Sequence, residues 1–120
     1  MTWYPAGNVI VCRFPFVEEA LTEAEQETFF AGGGLPSTAT PVDPTLVLFD
    51  WIDTTGTRRT VSGLSETVDS VQIVRDAAGE YHASVPVPDG TEGQYQYRGY
   101  GQDGSGNPVA SSGWQSFETS

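Results

Sequence analysis

The chain has 120 residues, 38% of them hydrophobic and 12% aromatic, which is enough for one buried core and excludes a disordered polar chain. Its 16 acids face 5 bases, all arginine (Arg13, Arg58, Arg59, Arg75 and Arg98), for a net charge of -11. That balance argues against a nucleic-acid binder, which needs a basic face against phosphates, and against docking on an anionic membrane surface.

In chain order, Gly7 and Asn8 open a first alternating run. Ile10, Cys12, Phe14 and Phe16 fall on one face, and Val9, Val11, Arg13 and Pro15 on the other. Pro15 cannot donate to a ladder, so this strand lies at an edge or ends there. Cys12 is the one cysteine, which excludes an intrachain disulfide and a cysteine zinc site.

Residues 18–34 break the alternation. Glu18, Glu19, Glu23, Glu25 and Glu27 make the stretch acidic, and Thr22-Glu23-Ala24-Glu25 reads as a capping box. Leu21, Ala24 and Thr28 give this short helix a thin apolar stripe, and Gly32-Gly33-Gly34 ends it. Residues 35–44 hold too much proline for anything but an extended loop.

The next strand covers residues 46–52, with Val47, Phe49 and Trp51 on one face and Leu46, Leu48, Asp50 and Ile52 on the other. Asp53-Thr54-Thr55-Gly56 turns the chain, and residues 58–61 pair back. A weaker strand is expected over 68–75, then a four-residue turn at Asp76-Ala77-Ala78-Gly79. Tyr81, Ala83, Val85 and Val87 alternate with His82, Ser84 and Pro86 before a turn at Pro88-Asp89-Gly90. Tyr95, Tyr97 and Gly99 alternate with Gln94, Gln96, Arg98 and Tyr100, residues 101–106 form a loop, and residues 114–118 make the last strand. About seven short strands with turn residues between them, and no helices alternating with them, predict an antiparallel β-sandwich, with a small barrel as second choice. No apolar run reaches the length of a membrane helix, and the start carries no basic-then-apolar leader, so a cytoplasmic or already mature chain is expected.

Several segments together carry a resemblance. They are Pro5-Ala6-Gly7-Asn8-Val9, Pro41-Val42-Asp43-Pro44-Thr45, the hairpin from Val74 and Arg75 through Gly79 to His82, Gly93-Gln94-Tyr95-Gln96-Tyr97-Arg98, and the closing residues 113–117. In this order they resemble the small immunoglobulin-like, fibronectin type III-like accessory domains of tailed-bacteriophage virions, often phages of actinobacteria. The resemblance spans most of the chain except the acidic stretch. It implies one all-β immunoglobulin-like domain over residues 1–120, to which the residues themselves add a helical or loop insertion at about 18–40, with the acidic residues 18–44 expected as a docking arm. It also implies a non-enzymatic virion protein assembled in the host cytoplasm, without cofactor or metal. Such a protein is a capsid decoration, minor head protein or head–tail connector accessory. Its expected partners are major capsid or connector subunits, and it is expected to stand on the particle as a symmetric homo-oligomer. Paired cysteines of antibody domains are missing.

Candidate chemistry is sparse. His82 shares a strand face with Ser84, but no G-x-S-x-G elbow surrounds the serine, and alternation turns the histidine outward as a surface or interface residue. Asp103-Gly104-Ser105-Gly106-Asn107 spaces oxygen ligands as calcium loops do, yet Pro108 replaces the glycine and Trp114 the glutamate such a loop needs. A polar hairpin is the expectation there. Asp43, Asp50 and Asp53 supply carboxylates for a hydrolytic pair, although Asp43 precedes a proline and Asp53 opens a turn, ordinary places for aspartate. The aromatics Trp3, Tyr4, Tyr100 and Trp114 lie outside the alternating core faces. They either close the ends of the sandwich or form a binding surface, for protein or for sugar rings. Leu46 and Leu48 make the outer face of their strand apolar too, so something must cover it: the insertion with Leu21, Phe29 and Phe30, or a neighbouring subunit. The alternative function is a tail-associated or carbohydrate-binding module that uses Trp3, Tyr100 and Trp114.

Overall fold

The computed structural model describes residues 3–4, 9–87 and 93–119, with side chains from residue 9 onward. The expected turn at Pro88-Asp89-Gly90, the opening Pro5-Ala6-Gly7-Asn8 stretch and the side chains of Trp3 and Tyr4 lie outside the described residues.

Alternation in the sequence becomes burial in the strands. In β2 (Val9–Pro15), Ile10, Cys12 and Phe14 point inward while Val9, Val11 and Arg13 point outward. Pro15, expected on the outer face, is buried, and Ser111 Oγ donates to its carbonyl at 2.6 Å. β3 (Leu46–Ile52) buries Val47, Phe49 and Trp51. β4 (Arg58–Ser62) pairs back on it with Val61 inward. β6 (Glu80–Pro86) buries Tyr81, Ala83 and Val85, and β7 (Gly93–Gln102) buries Tyr95 and Tyr97. β9 (Gln115–Thr119) adds Phe117. Two short strands complete the set, β1 (Trp3–Tyr4) and β8 (Pro108–Val109).

Two sheets result. One has the order β1-β9-β7-β3-β4 with β8 beside β7; the other has β2-β6-β5, where β5 is Ile73–Ala77. β1 runs parallel to β9, and all other pairs are antiparallel. The chain passes from one sheet to the other between β2 and β3, between β4 and β5 and between β6 and β7, which is the immunoglobulin-like arrangement of an all-β sandwich.

Two local expectations are corrected. The strand expected over 68–75 begins only at Ile73, because residues 68–71 form a tight turn. Val68 and Val71 exchange both backbone hydrogen bonds, at 3.0 and 2.8 Å, with Asp69 at φ 48° and Ser70 at φ 67°. Two successive positive φ angles are the type I′ geometry, which short polar side chains tolerate better than branched ones. The expected four-residue turn at 76–79 shrinks to Ala78-Gly79, because a register shift between Arg75 and Ala77 lets β5 continue to Ala77.

The acidic excursion between β2 and β3 is tied down at both ends. Val17 bridges to Pro41 and to Ala110, Glu18 N–H donates to Thr40 O at 3.0 Å, and Val42 N–H donates to Phe16 O at 3.0 Å. Within it, α1 (Glu23–Thr28) starts with the expected capping box: Thr22 Oγ1 accepts from Glu25 N–H and Glu25 Oε1 accepts from Thr22 N–H. A single π-turn (Phe29–Gly33) follows. Of the expected stripe, Ala24 and Thr28 stay exposed, and Leu21 and Phe29 do the anchoring. The helix is too short to hold itself, so those two buried side chains fix it. The excursion lies along β2, where Phe29 approaches Arg13 and Tyr81. It does not cover the outer face of β3.

The core is aromatic and continuous. Phe14 stacks on Phe49 at 5.5 Å and on Tyr81 at 6.0 Å, Phe49 stacks on Trp51 at 5.7 Å, and Tyr95 stacks on Phe117 at 5.2 Å. Each buried aromatic contributes about 1.5–3 kcal/mol by burial, with a further increment from ring geometry. Room for these rings comes from glycine in the central strand. A Cβ on Gly99 would stand 2.1 Å from Phe14 Cδ2, and one on Gly101 would stand 2.8 Å from Phe16 Cε1 and 2.6 Å from Pro44 Cγ.

Gly99→Ala is therefore expected to destabilise the chain by about 1–3 kcal/mol through overpacking, with β7 or Phe14 displaced. Gly104→Ala, whose added carbon meets only Thr45 Oγ1 at 3.7 Å, should stay within about 0.5 kcal/mol of the parent. Urea unfolding of the two variants checks this; equal midpoints would remove the glycine notch as a packing constraint.

Candidate functional site

Where β4, β3 and β7 lie side by side, the register sets Thr60, Asp50 and Arg98 in one row across the outer face. Asp50 is 3% exposed, a charge placed on a strand face that alternation assigns to solvent. What buries it is a set of long side chains. Arg58 Nη2 donates to Asp50 Oδ2 at 3.0 Å, Arg98 Nε donates to the same oxygen at 2.9 Å, and Thr60 Oγ1 donates to Oδ1. Burial pushes the Asp50 carboxyl up, but the Thr60 and Arg98 hydrogen bonds and the Arg58 charge outweigh it and hold the group below its ordinary value. Trp114 completes the arrangement, with its ring centroid 4.9 Å from the Arg98 guanidinium carbon and 5.4 Å from that of Arg58. Arg98 also stands 5.8 Å from the Tyr100 ring.

This platform gathers several of the residues singled out from sequence and leaves others apart. Trp114 is 39% exposed at its edge, and Tyr100, half-buried, flanks it. Leu46 and Leu48 are half-buried on the same outer face, with Leu48 paired to Tyr100 and Leu46 to Gln102. Leu21 and Phe29, expected at an interface, are buried within the chain as anchors of the excursion and offer no free surface. Phe30 is half-buried and lines a groove of about 600 Å³ between β2 and β9, together with Ile10, Arg13, Tyr97 and Phe117.

The other two candidate carboxylates do not join Asp50. Asp43 accepts both guanidinium contacts of Arg75, at 3.0 and 2.8 Å, the Gly79 N–H at 3.0 Å and the Tyr81 hydroxyl at 2.9 Å. The Arg75 bond first, then Gly79, holds its carboxyl well below the carboxylate range. Burial first, then Asp43, pushes the Tyr81 hydroxyl up to about 12. This knot ties the loop before β3 to the β5–β6 hairpin. Asp53 pairs with Arg59 at 2.7 Å, and its Oδ1 accepts from the N–H groups of Thr55 and Thr57. Burial raises its carboxyl, while Arg59, Thr55 and Thr57 lower it more, to about 2. All three aspartates are thus held ionised by separate partners. A general acid for glycoside cleavage needs a raised carboxyl, so this trio does not form an acid–base pair.

The 103–107 segment repeats the geometry of residues 53–57. In each, the aspartate Oδ1 accepts from the N–H groups two and four residues on, the fourth residue is a glycine at φ 84° or 83°, and the ends pair through the backbone. These are Asx-stabilised hairpin turns with glycine in the left-handed position. No group of His, Cys, Asp and Glu side chains converges as metal ligands among the described residues. His82 faces outward and bonds Asp76 through Nδ1 at 2.8 Å. Cys12 is fully buried, and burial pushes its thiol far above the usual range, which makes it a packing residue. Among the described residues no helix is long and apolar enough to cross a membrane.

Arg58, Arg98 and Thr60 did not emerge as a site from sequence. Their signal is an aspartate in the outward phase of a hydrophobic strand, which asks for cationic neighbours; only register says which ones.

Comparison with protein-family models, with curated proteins and with solved structures finds no match.

The lowered carboxyls fix the sign of a pH effect. A folded value below the unfolded one means stability that is complete above about pH 4 and is lost as pH falls, toward about 2 for Asp53. Relief of self-repulsion in the acidic chain acts the other way, so the difference between parent and Asp50→Asn isolates the effect. Urea unfolding at pH 7 should show Asp50→Asn less stable by about 2 kcal/mol, as for loss of charged hydrogen bonds, and the gap should narrow as pH falls below about 4. A gap that is constant from pH 7 to pH 2 would contradict the assignment.

Proposed function

We propose that the chain is a non-enzymatic structural protein of a tailed-phage virion, a capsid decoration, minor head protein or head–tail connector accessory that binds neighbouring virion subunits. It acts by burying its own surface against theirs and by charge complementarity, with no bond chemistry. The observation that carries this reading is apolar surface left uncovered on the outer faces of both sheets. Val9, Val11 and Val74 are 60%, 48% and 44% exposed on one, and Trp114 is 39% exposed on the other beside half-buried Leu46, Leu48 and Ile52. A small sandwich with adhesive side chains on two opposite faces is suited to sit between subunits. The immunoglobulin-like strand order and the segments that resemble virion accessory domains support the same reading. The anchored excursion presents Glu18, Glu19, Glu23 and Glu27 to solvent, and these charges suit a basic groove on a neighbour.

Particles purified from cells carrying the gene should contain the chain in a fixed copy number that matches a symmetry of the head or the connector, read by quantitative mass spectrometry. Its absence from the particle would refute the proposal. Replacing Glu19, Glu23 and Glu27 together by Gln should lower retained copies severalfold and leave the fold intact, since none of the three anchors the excursion. Unchanged occupancy would remove the docking role of the excursion.

A second reading, a tail-associated or carbohydrate-binding module, rests on the exposed indole of Trp114. It requires glycan-array binding that disappears in Trp114→Ala.

A further inference from the structure

We propose that the outer face of β4, β3 and β7 is a carboxylate-recognition site, which receives an Asp or Glu side chain of an acidic partner segment between the Arg58 and Arg98 guanidiniums beside Trp114. The inference does not depend on the virion reading, because it concerns what this face recognises.

The charge count comes first. Arg59 is matched by Asp53 and Asp69, and Arg75 by Asp43. Arg58 and Arg98 instead converge on one carboxylate, Asp50, so two positive charges against one negative leave a surplus cation. It sits on a chain whose net charge is -11. The side chains of Arg58 and Arg98 remain 50% and 33% exposed, while that of Asp50 is 4% exposed. A guanidinium carries five N–H donors, and each of these two spends only one nitrogen on Asp50. The remaining donors make no hydrogen bond among the described residues.

Geometry comes second. Two like charges gathered on one face repel each other, and here a buried carboxylate beneath and an indole alongside hold them in place. Long cationic side chains normally lose rotamer entropy on binding an anion; these have already lost it on folding. Planar guanidiniums match a carboxylate in a fork geometry.

The kind of anion follows from the rest of the molecule. Nucleic acid and anionic membranes present extended charge, which the overall negative field repels. A short acidic protein segment presents its few charges at close range, within the screening length of about 8 Å at physiological salt. Leu48 and Ile52 flank Asp50 on the same strand face and are half-buried, so the apolar neighbours of that carboxylate also find contact.

The test uses hexaglutamate, with hexaglutamine as neutral control and inorganic phosphate as competing anion, followed by NMR of the full chain. Hexaglutamate should move the Nε–H signals of Arg58 and Arg98 and the Trp114 indole N–H saturably, more weakly as salt rises from about 50 to about 300 mM. Hexaglutamine should not. Arg58→Gln leaves Asp50 bonded to Arg98 and Thr60, so the chain should stay folded with a somewhat lowered thermal midpoint, and it should bind at least tenfold more weakly at a temperature well below that midpoint. Arg58→Lys keeps the charge without the fork and should fall between. Absence of saturation, equal binding by Arg58→Gln, or tighter binding of inorganic phosphate than of hexaglutamate would each overturn the proposal.

Discussion

The distance between the two sheets is set by the contact of Phe14 with Gly99. Glycine at the middle of a central strand sacrifices β-propensity and side-chain packing within its own sheet. The compensation is that a ring from the opposite sheet enters the space a Cβ would fill. Phe14 then reaches Phe49 across the interface and Tyr81 in its own sheet, and Phe16 does the same over Gly101. With this spacing fixed, inward phases are fixed in every strand, since a slip by one residue would place glycine where the ring must go and a side chain where the glycine is. The outer phases follow from the inner ones. Asp50, Arg98 and Thr60 share a row only because Phe49, Gly99 and Val61 share the row beneath.

Charge is organised against that frame rather than spread over it. The chain holds five arginines, and two of them tie segments distant in sequence. Arg75 and Asp43 join the end of the excursion to a hairpin 32 residues on, and Arg98 and Asp50 join strands 48 residues apart. An exposed pair such as Arg75 and Asp43 contributes little to stability by itself. Its value lies in orientation: Asp43 also accepts from the Gly79 amide and the Tyr81 hydroxyl, so it fixes a turn, a loop and a core residue relative to one another. The glutamates of the excursion have no such partners in the described residues beyond the capping box and stay in water.

Much of this was legible in sequence, for physical reasons that differ by element. Strands with a strict period of two, such as the one holding Tyr81, Ala83 and Val85, announce both their extent and their buried face. The capping box at Thr22 and Glu25 and the two Asp-x-x-Gly turns are local, so composition over a few residues suffices. The start of β5 was missed because Val68 and Val71 are apolar and β-prone, while the positive φ angles of Asp69 and Ser70 leave no strong compositional mark. The platform on the outer face was illegible for another reason. It joins residues from three strands, and pairing register between strands is a long-range property. Of the expected helix stripe Leu21 is buried, while Ala24 and Thr28 are exposed because the second anchor, Phe29, lies just past the helix rather than on its spacing.

An inert adaptor and a recognition module are not competing descriptions of such a surface. A rigid sandwich offers two things to a neighbour: apolar area, which supplies adhesion without direction, and charges held at known positions, which supply orientation. On the β2–β6–β5 sheet, exposed Val9, Val11 and Val74 lie beside Arg13 and the His82–Asp76 pair, with no cation held over a buried carboxylate among the described residues. On the opposite sheet both occur together, with Trp114 and the half-buried leucines around a fixed pair of guanidiniums. The sheet faces therefore differ in what they demand of a partner. Surface area selects weakly, since most proteins expose apolar atoms. The pair of arginines over a buried aspartate selects strongly, since a partner that covers it without an anion leaves a surplus charge desolvated. On the proposed carboxylate recognition, the β3–β7 face would select the neighbour and the β2–β6 face would add adhesion.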